Sequence, residues 1–294
     1  VTSRAYSFER DFGRVADFLV EHYRDRNADG NWLQPTWEYA QHHTLLDGEH
    51  QSLWRTWEEG GQIIGVAHYE WFLGEAFFQV APGRNDLKPI MLDYVEQEMR
   101  GERDGRQFVR AWCIDSDRAF ADELARRGYR RVPGEDRPLC IIDLNGPLEY
   151  TVPEGFRLQS LAEDNDLAKI NRCLWRGFNH EGEADDSVLE GRKRTQSGPH
   201  FRHDLTMTVV APNGEYVAFA GSWIEPRRRY AQVEPVATDP DYRRMGLGRA
   251  AVLEGMRRCA AEGARVGYVG SNQDFYHAIG FSIVNNEECW ERIF

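Results

Sequence analysis

Three short segments of this chain return at a nearly constant spacing, and that repeat limits its folds more than any other feature. Arg4-Ala5-Tyr6-Ser7-Phe8-Glu9-Arg10-Asp11 resembles Arg157-Leu158-Gln159-Ser160-Leu161-Ala162-Glu163-Asp164, 153 positions later, with Arg, Ser and Asp in register. Gly61-Gln62-Ile63-Ile64-Gly65-Val66-Ala67 returns as Gly214-Glu215-Tyr216-Val217-Ala218-Phe219-Ala220, again 153 positions on. Gly128-Tyr129-Arg130 pairs with Gly280-Phe281-Ser282 at a spacing of 152. In a chain of 294 residues, a period of half the length implies two copies of one fold. Gly and Pro cluster between Asn145 and Gly155, where the apolar periodicity breaks. The expected domains are therefore residues 1–147 and 148–294, each large enough to bury a core of its own.

Each half reads as helix, irregular polar stretch, strands, helix, strand. In the second half a helix over Leu167–Trp175 precedes strands at Thr206–Val210 and Tyr216–Ile224, split by the turn at Pro212-Asn213-Gly214. A strand over Tyr230–Thr238 leads to an amphipathic helix over Gly248–Ala261, whose Val252, Met256 and Cys259 fall on one face. A strand over Arg265–Val269 and two closing β segments complete the half. In the first half the opening helix is expected over Phe12–His22. The fold class is α/β, with a mixed α+β sheet in each copy.

The composition narrows the partners. A net charge of -12 and a pI near 5.3 argue against nucleic acid or an anionic membrane as partner, since both need a basic face. The charge is compatible with a cationic or amine substrate, although solubility is the better explanation. The five cysteines, Cys113, Cys140, Cys173, Cys259 and Cys289, include no C-x-x-C pair and sit in apolar contexts. They read as buried reduced thiols, so a cytoplasmic location is expected. No apolar run approaches the ~18 residues of a membrane helix.

The most informative stretch is Val236-Ala237-Thr238-Asp239-Pro240-Asp241-Tyr242-Arg243-Arg244-Met245-Gly246-Leu247-Gly248, followed by Arg249. A strand ends, a loop with two glycines follows, and a helix begins. A helix N-terminus offers unpaired N–H groups and partial positive charge, and phosphates bind there. Glycine lets backbone approach a pyrophosphate closely. The arginines at 243, 244 and 249 add positive charge to an otherwise acidic chain. The loop lacks both the Gly-Lys-Ser/Thr ending of a P-loop and the G-x-G-x-x-G of a dinucleotide site.

Arg243-x-x-Gly246-x-Gly248 resembles the R-x-x-G-x-G/A motif of the GNAT superfamily of N-acetyltransferases. That resemblance implies a cofactor-binding segment formed by Val236, Ala237, Thr238, Arg243, Arg244, Met245, Gly246, Leu247, Gly248 and Arg249. Downstream, Phe275-Tyr276-His277-Ala278-Ile279-Gly280-Phe281 looks like the family's ending, in which a Tyr lies near the thioester sulfur and acts as general acid. Asn272, four positions before that Tyr, resembles the Asn that often contacts the cofactor. Glu234 lies on the strand feeding the motif, where many members carry a base that takes the amine's proton. A structural role for Glu234 is equally compatible with its position. Strict alternation would put Glu234 and Val236 on one face. Pro235 has no N–H for a sheet ladder and fits the β-bulge that, in the family, splays two strands around the pantetheine arm. The N–H groups of Val236 and Ala237 would then face the thioester carbonyl.

The first half reads Val80-Ala81-Pro82-Gly83-Arg84-Asn85-Asp86-Leu87-Lys88-Pro89-Ile90-Met91 at the matching place, without the motif, and Leu124 stands where the Tyr would be. The resemblance is thus to tandem GNAT proteins in which one copy has degenerated. It implies transfer of an acetyl or other acyl group from acetyl-CoA to a small-molecule amine by direct attack. A non-catalytic acyl-CoA sensor is the alternative. No metal is expected, because His200-x-x-His203-Asp204 and His42-His43 have poor ligand spacing. The acidic run His180–Asp186 falls where the family places a substrate-facing loop, although such a run is more often only a solvated loop, and Trp37, Trp71, Trp175 and Trp223 are candidates for an aromatic pocket or for core packing.

Overall fold

The computed structural model describes residues 1–294, with the side chain of Asp186 excepted. It divides into two compact units. They are not the contiguous halves 1–147 and 148–294. Unit 1 comprises Val1–Gln41, Leu45–Leu139 and Ile283–Phe294, and unit 2 comprises His42–Thr44 and Cys140–Ser282. The first unit therefore takes its last strand from the end of the chain. A repeat spacing locates where a motif recurs, but not which sheet its final strand joins.

Unit 1 begins with β1 (Thr2–Ala5), α1 (Phe8–Glu21) and α2 (Gln34–His42), then β2 (Arg55–Glu59), β3 (Gln62–His68), β4 (Glu75–Val80) and α3 (Leu87–Glu98). After these come β5 (Gly101–Arg103), β6 (Arg106–Ile114), α4 (Arg118–Arg126), β7 (Arg130–Arg131) and β8 (Arg137–Asp143), whose last residues pass into unit 2. Strands β1 to β4 are antiparallel neighbours in order. Between β4 and β6 the pairing is parallel and is confined to Glu75↔Arg110 and Ala76↔Ala111. The core is built on Trp37, Trp54, Tyr69, Phe77, Met91 and Leu92.

Unit 2 runs β9 (Arg157–Ser160), α5 (Leu167–Gly177), α6 (Leu189–Thr195), β10 (Met207–Val210), β11 (Tyr216–Glu225), β12 (Tyr230–Thr238), α7 (Leu247–Ala261), β13 (Val266–Val269) and α8 (Asp274–Ala278). Strand β14 (Ser282–Ile293) then pairs with β6 and β7 of unit 1. The two closing β segments expected here are instead the short helix α8 and this one strand. In unit 2 the sheet order is β8-β13-β12-β11-β10-β9. Helix α5 starts under Asp166, whose side chain accepts from the Ala168 and Lys169 N–H groups, a standard N-cap. Helix α7 lays Val252, Met256 and Cys259, all fully buried, on the sheet. Close approach explains two glycines: a Cβ on Gly255 would collide with Ser222 Oγ, and one on Gly267 would lie 2.6 Å from Met256 Sδ.

All five cysteines are buried and free. Among the described residues no helix is long and apolar enough to cross a membrane.

Candidate active site

The site grows out of an irregularity in β12. Ala220 pairs with Val236 but Ser222 pairs with Val233, so Gly221 alone opposes Glu234 and Pro235. This is a β-bulge at the place Pro235 suggests. Gly221 is required there, because a Cβ would run into the Glu234 carbonyl oxygen. The Trp223 indole N–H donates to that same carbonyl at 2.8 Å. The bulge also breaks the alternation by which Glu234 and Val236 would share a face. Val233 and Val236, three apart, both pack on the core beneath α7.

Past the bulge, β12 loses its second neighbour. Its parallel pairing with β13 covers only Tyr230↔Val266, Ala231↔Gly267 and Gln232↔Tyr268. The edge of β12 from residue 233 to 238 is open on that side. The Asp239 N–H donates to Val217 O at 2.9 Å, which fixes the antiparallel alternation with β11. By that alternation Ala237 turns its N–H toward Phe219, while Val236 and Thr238 present theirs to the open edge. Of the pair Val236 and Ala237 expected to face a thioester carbonyl, only Val236 turns its N–H to the open edge, and Thr238 does so in place of Ala237.

The loop after β12 is held from several directions. Asp239 is fully buried and accepts from Arg176 at 2.6 and 3.0 Å, from Arg172 at 3.2 Å and from the Asp241 N–H at 3.1 Å. Burial alone would raise its pKa, but the Arg176 hydrogen bonds hold the carboxyl below its ordinary value. Arg243 donates to Thr238 O, Gly177 O and Asn179 Oδ1, so its guanidinium ties the loop to the end of α5. Arg249 likewise gives two hydrogen bonds to Glu149 O. Arg244 and Met245 are exposed at the loop's tip.

Gly246 then sits at φ 82°, a left-handed conformation natural to glycine, and serves as the N-cap of α7 without a side-chain cap. The first N–H groups of α7 therefore have no side-chain acceptor. Gly248 meets a different constraint. A Cβ there would lie 2.6 Å from Thr238 Oγ1 and 3.4 Å from the Phe275 ring. Leu247 is buried in the core beneath. Strand end, helix start and α8 thus converge on one glycine.

Tyr276 lies on α8, 7% exposed, between the rings of Phe275 and Phe281. Burial pushes its phenol well above the ordinary value, and the negative charge of Glu234 adds to the rise. The Glu234 charge is thus felt at the Tyr276 phenol. Asn272 is exposed, and its Oδ1 lies 2.6 Å from His277 Nε2, while His277 Nδ1 is 3.1 Å from Phe281 O. Asn272 is therefore engaged in shaping the α8 turn.

Of the tryptophans, Trp37 and Trp223 are buried, at 0% and 2% exposure. The Trp175 indole donates to Gly182 O and its ring lies against His180, so it folds the acidic loop onto α5. Asp186 in that loop lies outside the described side chains. Among the described residues no cluster of His, Cys, Asp or Glu could hold a metal. Sequence reading missed Arg172, Arg176 and Asp239, which lie up to 67 residues apart. The one available signal was the conjunction of two arginines on α5 with a strand-terminal Asp.

Residues 166–281 match the family model described as "Acetyltransferase (GNAT) family". No curated protein matches the chain by sequence. Among solved structures, a GCN5-related N-acetyltransferase from Sphaerobacter thermophilus is 14% identical with a TM-score of 0.68, covering 99% of this chain and 95% of the other. A tandem GNAT protein from the clavulanic acid biosynthesis pathway gives the same identity and TM-score, covering 99% and 98%. A GNAT-family acetyltransferase from Colwellia psychrerythraea is 8% identical with a TM-score of 0.58, covering 99% of each chain. This chain thus has the fold of tandem GNAT proteins, and its residues 166–281 are similar to the GNAT acetyltransferase family.

Proposed function

We propose that unit 2 transfers an acetyl or other acyl group from acyl-CoA to the amine of a small molecule by direct attack. The observation that carries this reading is the bulge at Glu234-Pro235, past which β12 has an open edge that leads into the glycine-started α7. The residues around it fit an acyl-CoA substrate. Gly246 and Gly248 leave the start of α7 free of side chains where a pyrophosphate would sit, and the uncapped N–H groups suit its charge. The open edge offers the Val236 and Thr238 N–H groups to the pantetheine arm and the thioester carbonyl.

Each residue then has a task. Glu234 takes one proton from the substrate ammonium, directly or through water, so that the amine lone pair can attack. The strand N–H group hydrogen-bonds the carbonyl oxygen as negative charge builds on it. The C–N bond forms and the C–S bond breaks. Tyr276, whose raised pKa keeps it protonated, gives its proton to the departing sulfur. The amine's second proton leaves the product amide nitrogen for solvent or the Tyr276 phenolate.

The test is turnover of acetyl-CoA against a panel of small amines, measured with wild type, Tyr276→Phe and Glu234→Gln. Turnover by the wild type that falls in both variants, with CoA binding retained, supports the reading. CoA binding without turnover on any amine would favour a sensor instead.

A further inference from the structure

The ladder between β11 and β12 is regular on both sides of the bulge and interrupted inside it. Tyr230 to Val233 pair with Glu225 to Ser222, and Val236 to Thr238 pair with Ala220 to Ala218. Glu234 and Pro235 fall between these two runs, and Pro235 has no N–H to give. On the other side, β12 ends its pairing with β13 at Gln232. The main chain that carries Glu234 is therefore the part of β12 that the sheet fixes least. Trp223 reaches it from β11, its indole Nε1 donating to Glu234 O at 2.8 Å.

The indole is itself held in place. Trp223 is 2% exposed, pairs with Gln232 across the ladder, and has the Phe201 ring edge-on against it at 5.6 Å. A phenyl ring would serve that packing equally well. What tryptophan adds is one N–H donor, and here it points at the carbonyl of Glu234. Burial alone does not force such a bond, since the buried indoles of Trp32, Trp54 and Trp112 in unit 1 have no acceptor. Unit 1 also supplies the contrast at the matching ladder. Its β3 and β4 pair from Gly65↔Val80 to His68↔Phe77 with no shift in register. The residue 153 positions before Trp223 is Glu70, which has no indole to give. Bulge and indole donor are thus both missing from the copy that lacks the glycine motif and the tyrosine.

We propose that Trp223 is a positioning residue: its indole N–H fixes the backbone of the bulge and thereby the direction in which the Glu234 carboxylate meets the substrate amine. This rests on the role of Glu234 as the base. A base is effective only within hydrogen-bond reach of the proton it takes, so a carboxylate free to drift loses much of its effect. The acyl-CoA contacts stand apart. Val236 and Thr238 belong to the paired run beyond the bulge, which the Asp239 N–H to Val217 O bond closes.

The test is steady-state acetyl transfer to whichever small amine the wild type uses best, with Trp223→Phe, Glu234→Gln and the double variant alongside. A further protein carries benzothienylalanine at position 223, which keeps the two-ring shape and puts sulfur in place of the N–H. It also serves should Trp223→Phe fail to fold. Both proteins without the donor lose about tenfold or more in kcat, with a smaller change in KM and a Kd for CoA within about twofold of wild type. In the Glu234→Gln background, Trp223→Phe costs less than about twofold more, because no base is left to aim. The proposal is overturned if the benzothienylalanine protein turns over like wild type, which leaves Trp223 a packing role alone. It is equally overturned if the two single losses multiply in the double variant. A wild type that acetylates no amine, or a Glu234→Gln protein of normal turnover, removes the base itself and this proposal with it. An impaired Glu234→Gln beside Trp223 variants of normal turnover sinks this proposal and leaves the base standing.

Discussion

The two glycines that open α7 do different work, and alanine separates them. At Gly248 the helix itself favours alanine by about 1 kcal/mol. Against that, a Cβ would sit 2.6 Å from Thr238 Oγ1 and touch Phe275. Thr238 is β-branched and stiff at χ1, so relief requires moving the strand end or the helix start, at about 1–3 kcal/mol for such overpacking. The two terms leave Gly248→Ala between neutral and about 2 kcal/mol less stable. The displacement falls on the Thr238 N–H and on the first turn of α7, both assigned to acyl-CoA, so affinity should drop at least about tenfold. At Gly246 a Cβ would meet nothing within 4 Å, but φ is 82°. Gly246→Ala costs about 1–2 kcal/mol from left-handed backbone alone, and Gly246→Asn costs less because Asn adopts that region. Urea unfolding and calorimetric titration with CoA measure all three. A Gly248→Ala protein that is about 1 kcal/mol more stable and binds CoA normally would refute the packing argument.

Further outcomes follow from the same geometry. Tyr276→Phe should lower kcat by about 10²-fold or more while the Kd for CoA stays within about twofold, as read by steady-state kinetics and titration. Arg176→Ala leaves Asp239 with only Arg172 and the Asp241 N–H and loosens the loop, so KM for acyl-CoA should rise several-fold with a smaller change in kcat. Glu254 is buried; burial would raise its pKa, but hydrogen bonds from Arg257, Tyr150 and Arg258 bring it down to about 2. A carboxyl depressed in the folded state stabilises above its unfolded pKa near 4.5 and loses that contribution as pH falls toward 2. Urea unfolding between about pH 5 and pH 2.5 should therefore show a loss of about 2–3 kcal/mol in wild type that Glu254→Gln lacks.

Local pattern made much of unit 2 legible. Strand β12 runs over the expected residues, α7 differs from expectation by one residue at its start, and Pro235 marked the bulge. These features rest on contacts between near neighbours in sequence. The assignments that failed depend on distant partners. Phe275–Ala278 carries aromatic residues that favour strand, yet tertiary packing of Tyr276 against Phe281 and of Phe275 against Gly248 holds it as helix. The transfer of β14 into unit 1 is a choice of sheet edge, which no local signal encodes. The arginines at 243 and 249 were read as charge for a pyrophosphate, whereas backbone carbonyls of Gly177, Thr238 and Glu149 engage them. Sequence supplied the charge but not its direction.

The central claim is that unit 2 alone binds acyl-CoA, through the start of α7. Calorimetric titration of the full chain with acetyl-CoA tests it most directly. The account predicts one site per chain, abolished by Gly246→Glu, which places a carboxylate at the start of α7. Two sites per chain, or binding that survives that substitution, would contradict it.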